Sequence, residues 1–432
     1  MLLDLKVGNY RSFRDPVTFS LAASNYDANS LPGNIMTPKL AGITKQKFLR
    51  GAAIYGANAS GKSNLIRALF ELQVLVRTSH QFEDGGGIPF DPFLLNHGSR
   101  EEPTLYAIRF VSEGVRYHYT LAFTNKRVLE ESLSAHPKGK PQLWYHRIWD
   151  DEDEIYHYTP LESEHFNLRK TDVESTKKNS LFLSTATSLN HPKLKPVYAW
   201  FRDKLSVMNL GIDGSHIGPS ATVAHFERNP RKILNFLRRA DLGITDVAVE
   251  KKPIPQKILD QLSRSNPTQN LEPEYVHITM DHSGEDGQLY RIPMEEESSG
   301  TSRFFQLIGP WLELIEQGKV LFLDELETSL HPLLTRELIR IVMDPELNKN
   351  KAQIIFATHD PLLLDTTLLR RDQIWLTEKT REGDSILYAL NEYETPPSKR
   401  ESLVRGYLSG RYGGIPYIPE SLLSQELEPS EA

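Results

Sequence analysis

The stretch YGANASGKSN, residues 55–64, restricts the fold of this chain more than any other feature. It matches G-x-x-x-x-G-K-[ST], follows the apolar run AAIYG, and precedes NLIRALFELQVLV, which has helical apolar spacing. In that strand, loop and helix order, backbone N–H groups surround phosphates, the lysine reaches the β- and γ-phosphates, and the hydroxyl ligates Mg²⁺. The alternative, a glycine-rich turn that matches by accident, does not explain the flanking elements. The pattern predicts a nucleotide site formed by Gly56, Asn58, Ser60, Gly61, Lys62, Ser63 and Asn64.

A second motif, KVLFLDELETSLHP, is an apolar run that ends in two carboxylates. This is the pattern of a Walker B strand, in which Asp324 holds Mg²⁺ through water and Glu325 polarises the attacking water. Alone, the motif would be a strand that ends in a solvated acidic turn. Together with the phosphate loop, it predicts the second half of a P-loop ATPase site.

The run AQIIFATHD predicts another buried strand, and it ends on His359. A single histidine is more often structural than functional. On the strand after the Walker B motif, however, it should lie at the sheet edge where open α/β sheets bind ligands. We therefore expect His359 to bond an oxygen of the γ-phosphate.

The stretch ESSGT, residues 297–301, comes just before the predicted helix SRFFQLIGPWLELI. Free N–H groups, the positive end of the helix dipole and serine hydroxyls make an anion site there, formed by Ser298, Ser299 and Gly300. The competing interpretation is an N-cap segment without a ligand, which is the usual role of such residues.

The composition excludes several classes of protein. The 432 residues include no cysteine, which excludes disulfides and thiolate metal sites, and the formal net charge is −7, which argues against coating nucleic acid by bulk charge. No run approaches the about 18 apolar residues of a membrane helix. The sequence therefore predicts a soluble cytoplasmic protein without membrane contact.

Periodicity indicates an α/β fold with a mostly parallel sheet in its last third and an antiparallel β subdomain from about residue 103. About 255 residues separate Ser63 from the Walker B strand, and they show β patterns and short helices without sustained heptads. We predict an N-terminal ATPase lobe, an inserted mostly helical lid, a C-terminal ATPase lobe and a C-terminal tail, at residues 1–160, 161–272, 273–400 and 401–432.

The order of these motifs, with SLHP after the Walker B strand, resembles ABC-class ATPases of the SMC, Rad-fifty and RecF type. The resemblance implies an ABC-type head without a long coiled coil, and ATP and Mg²⁺ as cofactors. It implies that Ser298 and Gly300 of the signature close over the γ-phosphate held by a second protomer, so that a homodimer or higher oligomer has composite sites. Ser329 to His331 would form the D-loop at the dimer seam, and His359 would be the switch histidine.

Within that class the chain is similar to the overcome-lysogenisation-defect-like ATPases of phage-defence and restriction-associated loci. The stretches LKVGNYRSFRD, FLSTATSLN, SSGTSRFF, DELETSLHP and GYLSGRYGGIPYI carry this likeness. It implies that Arg11 lies near the nucleotide, although a surface arginine at a strand end fits equally well. Two departures stand out: Gln73 lies within the predicted helix after the phosphate loop, so no Q-loop glutamine is assigned, and ESSGT lacks the leucine and first glycine of the signature.

Three functions follow from these patterns. The first is an ATPase whose nucleotide-driven dimerisation regulates a separate nuclease-like or toxin-like effector in anti-phage defence, since only about 70 residues follow His359. The second is a RecF-like DNA-binding ATPase of repair or chromosome maintenance, for which RNPRKILNFLRR offers a basic helix with Arg228, Arg231, Lys232, Arg238 and Arg239. A solvated amphipathic helix is the simpler interpretation of that stretch, and contact with DNA stays open. The third is a phosphotransferase for a small molecule, which would leave ESSGT and SLHP without a role.

Overall fold

The computed structural model describes residues 1–25, 29–43, 45–160, 164–208, 219–240, 242–254, 274–393, 395–397 and 401–416. Numbered in chain order, its strands are β1 (Leu2–Gly8), β2 (Val17–Ser20), β3 (Ile35–Met36), β4 (Phe48–Leu49), β5 (Gly51–Gly56), β6 (Thr104–Ser112), β7 (Val115–Phe123), β8 (Val128–His136), β9 (Gln142–Asp150), β10 (Ile155–Thr159), β11 (Leu205–Met208), β12 (Ile244–Pro253), β13 (Glu274–Ser283), β14 (Leu289–Pro293), β15 (Val320–Leu323), β16 (Gln353–Ala357), β17 (Ile374–Lys379) and β18 (Ser385–Ala389). The helices are α1 (Lys62–Thr78), α2 (Lys170–Ser175), α3 (Phe182–Ser188), α4 (Lys195–Ala199), α5 (Ser220–Arg228), α6 (Pro230–Arg239), α7 (Ser299–Gln317), α8 (Pro332–Met343) and α9 (Leu403–Leu408).

The chain forms two compact units, each built from separate stretches of sequence. Unit 1 consists of Met1–Asp213, Leu314–Glu327 and Arg336–Ala432, and unit 2 of Gly214–Glu313 and Thr328–Thr335. The predicted lid, 161–272, matches neither unit. The described helices from Lys170 to Ala199 belong to unit 1, because their apolar side chains, such as those of Phe182 and Val197, are buried in its core.

Unit 1 contains the predicted, mostly parallel sheet. Its six strands lie in the order β11-β15-β16-β5-β17-β18, and every neighbouring pair is parallel except β17 with β18. β5, β15 and β16 are buried throughout, which explains their nearly continuous apolar sequences. The order brings the carboxyl ends of β5, β15 and β16 to one edge of the sheet.

A seven-stranded antiparallel sheet forms the second layer of unit 1, in the order β10-β9-β8-β7-β6-β1-β2. Phe19 of β2 connects the layers, with ring centroids 5.0 Å from Trp375 and 6.3 Å from Phe322 of the parallel sheet. The buried carboxamide of Gln353 accepts from the Leu2 N–H at 2.7 Å and donates to the Leu2 carbonyl at 3.1 Å. The predicted α/β fold with an antiparallel β subdomain is confirmed, and the described residues contain no long coiled coil.

Unit 2 combines a three-stranded antiparallel sheet, β12-β13-β14, with α5, α6 and most of α7, up to Glu313. The Thr222 hydroxyl of α5 donates to the Phe305 carbonyl of α7 at 2.6 Å and accepts from the Gly309 N–H at 2.9 Å. On α6, Ile233 and Leu237 are fully buried as expected for a core-facing stripe, whereas Leu234 is only half-buried.

Residues 401–416, predicted as part of a C-terminal tail, fold into α9 and a turn within unit 1. The acidic end of the predicted tail, SQELEPSEA, lies outside the described residues. None of the described helices combines the length and apolar character that crossing a bilayer needs.

Candidate nucleotide site

The phosphate-loop motif lies where the sequence predicts it, between β5 and α1. Gly56 is required by close approach, because a Cβ there would lie 2.3 Å from the Thr377 hydroxyl and 2.4 Å from the Ser60 hydroxyl. Those two hydroxyls are hydrogen-bonded to each other at 2.5 Å and are both buried. The loop is therefore fastened to β17 on one side, while Asn58 at its tip is exposed.

Lys62 extends back along the loop and is itself buried. Its ammonium donates to the carbonyls of Gly56, at 2.7 Å, and Ala57, at 3.0 Å. Burial lowers the pKa of Lys62 to about 8, and the carboxylates of Asp324, Glu327 and Glu325 act in the opposite direction. The loop lysine and the acidic end of β15 are thus electrostatically coupled.

Asp324 follows β15 and is buried, and its backbone N–H donates to the Met208 carbonyl at 3.1 Å. Burial raises the pKa of Asp324, while a hydrogen bond from the Ser63 hydroxyl lowers it. Its Oδ1 atom is buried and has no hydrogen-bond partner among the described residues. A buried carboxylate oxygen without a donor, next to a serine hydroxyl, fits the oxygen ligands that Mg²⁺ requires.

Glu325, Glu327 and His359 lie near the loop lysine, because the two carboxylates and the histidine interact electrostatically with it. Glu325 is exposed and has a left-handed backbone, with φ 50°. The Glu327 carboxylate accepts a hydrogen bond from the backbone N–H of His359 at 2.6 Å. This contact holds the chain just after β16. Burial and Lys62 lower the pKa of His359, and the nearby carboxylates raise it. Sequence reasoning missed Glu327, although its place two residues after Glu325 was a visible signal.

The ESSGT stretch lies in unit 2, at the beginning of α7. The Ser298 hydroxyl accepts from the Thr301 N–H at 3.1 Å, which is the capping role that we considered as the alternative. Ser298 and Ser299 are exposed. In the predicted D-loop, Ser329 has φ 61°, and the His331 Nδ1 atom accepts from the Leu333 N–H at 3.2 Å.

A family model matches residues 52–170 and 221–365, which is more than half of the chain. Its description is "AAA domain, putative AbiEii toxin, Type IV TA system". The chain belongs to this AAA family. The matched residues of this AAA-family protein include the phosphate loop, the ESSGT stretch, β15 and His359.

Solved structures similar to this AAA-family protein include the SMC head domain from Thermotoga maritima, with 16% identity and a TM-score of 0.38 over 90% of this chain and 98% of that one. Another is the SMC head bound to the C-terminal winged-helix domain of ScpA, with 15% identity and a TM-score of 0.39 over 90% and 97% of the two chains. No curated protein matches the chain.

Arg11 of the AAA-family protein lies in a turn beside the phosphate loop. Its guanidinium forms an ion pair with the Asp91 carboxylate, and the backbone N–H of Arg11 donates to the Asp91 carbonyl at 2.7 Å. The loop contact comes instead from Ser12, whose hydroxyl accepts from the Asn64 carboxamide at 2.8 Å. The assignment of Arg11 to the nucleotide therefore stays a prediction.

Two other sequence features of the AAA-family protein have structural explanations. Gln73 of α1 donates to the carbonyls of Phe201 and Leu205 at 2.6 and 2.8 Å, so it stabilises packing within unit 1. The acidic run DDEDE forms an exposed turn, in which Asp150 accepts from the Glu152 N–H at 2.9 Å.

Proposed function

We propose that the chain is an ABC-class ATPase that hydrolyses ATP to ADP and phosphate. The observation that supports this most directly is the proximity of Lys62, Asp324 and His359: Asp324 raises the pKa of Lys62, and the charges of both residues act on the pKa of His359. These residues follow three adjacent strands of one sheet. A phosphate loop with a lysine, a carboxylate for Mg²⁺, a second carboxylate and a histidine form the set that hydrolysis at a P-loop requires.

In the proposed reaction, Lys62 exchanges its two loop carbonyls for the β- and γ-phosphates of ATP. Ser63 and Asp324 would hold Mg²⁺, which when bound neutralises charge on the phosphoryl oxygens. Glu325 accepts a proton from the attacking water. His359 is mostly uncharged at pH 7, because its pKa is lowered, and it donates one ring N–H to the γ-phosphate.

We further propose that two copies close over the nucleotide, so that Ser298 and Gly300 of one copy complete the site of the other. The exposure of Ser298 at the beginning of α7 supports this, because the helix terminus is accessible to an anion. ATP would close the dimer and hydrolysis would open it.

The test is the solution mass of Glu325→Gln with and without MgATP, because this change slows hydrolysis without removing the phosphate ligands. We expect a nucleotide-dependent increase in mass that disappears when Ser298→Arg is added. Gln317→Arg, at the exposed far end of α7, is the matched control and should retain the increase. A Glu325→Gln protein that stays monomeric with MgATP would refute the closed dimer.

We also propose that the nucleotide state regulates a separate effector in anti-phage defence. The family description, which names an AbiEii-type toxin and a type IV toxin–antitoxin system, supports a role of this kind. The test is plating of a phage panel on cells that carry the gene with its natural neighbours. Protection should disappear with Lys62→Ala and with deletion of a neighbouring gene; protection that survives Lys62→Ala would exclude nucleotide control.

A second candidate, a RecF-like DNA-binding ATPase, is favoured by one feature of unit 2. Arg228, Arg231, Arg238 and Arg239 are exposed along α5 and α6, and the stretch 228–240 contains no acidic residue. The Arg238 guanidinium donates to the Thr245 carbonyl at 2.6 Å, so Arg231 and Arg239 are the better residues to change. DNA-stimulated hydrolysis that weakens with salt and with Arg231→Glu and Arg239→Glu would support this function.

A further inference from the structure

The stretch ESLVRGYLSGRYGGIP, Glu401 to Pro416, includes a sequence motif that the proposed reaction does not use. It forms α9 and a turn, in which the Arg411 N–H donates to the Gly406 carbonyl at 3.0 Å. Gly406 leaves room for Tyr412, because a Cβ there would lie 2.3 Å from the Tyr412 hydroxyl oxygen. The stretch is thus an ordered, tightly packed element of unit 1.

Tyrosines fix this element to the parallel sheet. Tyr388 of β18 donates to the Tyr412 carbonyl at 2.7 Å, and the Tyr412 hydroxyl donates to Glu401 at 2.6 Å. α9 also contacts the turn Pro361–Leu363, just after His359. The element therefore lies beside the candidate nucleotide site.

Tyr407 reaches the phosphate loop itself. Its side chain is buried, and its ring packs edge-on against Tyr55 of β5 with centroids 5.4 Å apart. The Tyr407 hydroxyl donates to the Gly414 carbonyl at 3.2 Å. Gly414 lies against the loop as well, since a Cβ there would be 3.6 Å from the Gly56 Cα atom.

Gly56, the first residue of the loop, is consequently held by two contacts. Gly414, whose carbonyl accepts from Tyr407, packs against Gly56, and the Gly56 carbonyl accepts from Lys62 at 2.7 Å. Loss of the tyrosine hydroxyl would leave the Gly414 carbonyl without this donor, and the packing of Gly414 against the loop would relax.

We propose that Tyr407 is a positioning residue for the phosphate loop, and that Glu401 to Pro416 act as a strap that sets the loop for the phosphates. This inference rests on the proposed nucleotide-binding function. The loop holds phosphates equally in the ground state and in the transition state, so its misplacement affects KM rather than kcat.

The experiment compares Tyr407→Phe with Tyr388→Phe in steady-state MgATP hydrolysis. Both variants remove one phenolic hydroxyl from the contacts of the strap, but the Tyr407 hydroxyl holds Gly414, which lies against Gly56, whereas the Tyr388 hydroxyl holds Tyr412. We expect KM to rise at least about fivefold in Tyr407→Phe with kcat within about twofold of wild type, and both parameters to stay near wild type in Tyr388→Phe. An unchanged KM in Tyr407→Phe, an equal rise in both variants, or a fall in kcat alone would overturn the proposal, since loss of folded protein lowers kcat without changing KM.

Amide hydrogen exchange on the wild-type protein without nucleotide provides a test that needs no variant to fold. We expect the Gly56 amide to be strongly protected, and exchange at the intrinsic rate would overturn the proposal. If the wild type neither binds nor hydrolyses MgATP, the proposed function fails, and the hydrogen-exchange result still decides whether the strap holds the loop.

Discussion

The carbonyl oxygen of Ser329 lies 2.8 Å from the point that a Cβ on Gly300 would occupy. Gly300 of the ESSGT stretch and Ser329 of the predicted D-loop therefore contact each other within unit 2. Alanine at an ordinary helical glycine stabilises a protein by about 0.5–1 kcal/mol. We expect the opposite for Gly300→Ala: its free energy of unfolding should fall by about 1–3 kcal/mol, because the Ser329 backbone must shift. Denaturant unfolding measures this, and Ser299→Ala, at an exposed neighbour, should stay within about 0.5 kcal/mol of wild type. A stabilised Gly300→Ala protein would contradict the contact.

Asp324 should favour Mg²⁺ binding and at the same time lower the free energy of unfolding of the metal-free protein. Because burial raises its pKa, its charge is unfavourable in the folded protein. Without Mg²⁺, we expect the free energy of unfolding of Asp324→Asn to equal that of wild type or to exceed it by up to about 1 kcal/mol. The variant should also lose the difference between ATP affinities measured with Mg²⁺ and with a chelator. Glu325→Gln is the control and should retain that difference; an Asp324→Asn protein that retains it too would exclude Asp324 as a metal ligand.

Lys62 should make nucleotide affinity depend on pH. Its pKa is about 8 in the protein without nucleotide, and bound phosphates favour the charged ammonium and raise that pKa. Affinity for MgATP is then greatest below pH 8 and falls above it, by up to about tenfold per pH unit. Equilibrium titrations between pH 7 and about pH 9.5 measure the slope. The arginine of Lys62→Arg stays charged throughout this pH range, so the affinity of this variant should depend little on pH. A wild-type affinity independent of pH would show that Lys62 keeps its charge without ligand.

Glu327 should affect hydrolysis through His359, because its carboxylate accepts a hydrogen bond from the backbone N–H of His359 at 2.6 Å. A hydrogen bond to a charged group contributes about 1.5–3 kcal/mol, so its loss leaves the segment after β16 poorly fixed. We expect Glu327→Ala to lower kcat at least about tenfold with little change in KM, and Glu327→Gln to lower it less. Glu346→Ala, which removes an exposed carboxylate, is the control. Unchanged kcat in Glu327→Ala would assign the contact to folding alone.

The sequence predicted the parts of the site that depend on local order. The phosphate loop, Asp324 and His359 each follow a short apolar strand, and such strands pair in parallel because the intervening helices require it. Thr377 and Tyr407 could not be predicted in this way. Their contacts with Ser60 and Tyr55 connect positions more than 300 residues apart, and no local pattern encodes such pairs.

The predicted lid shows a different limit of sequence reasoning. The amphipathic pattern around Phe182 and Trp200 indicates a buried face, but it does not specify which core the face joins. β11, Leu205–Met208, is only four residues long and lies between predicted helices. Its pairing with β15 is what brings this part of the chain into unit 1.

The division of the chain also bears on how such a protein can evolve. Unit 2 is composed of Gly214–Glu313 and Thr328–Thr335, and the acidic strand β15 lies between these pieces in the gene order. A single recombination event cannot exchange unit 2 without also replacing the strand that leads to Asp324 and Glu325. The whole stretch 214–335 is therefore expected to be inherited as one block, so that the ESSGT stretch and the acidic strand diversify together.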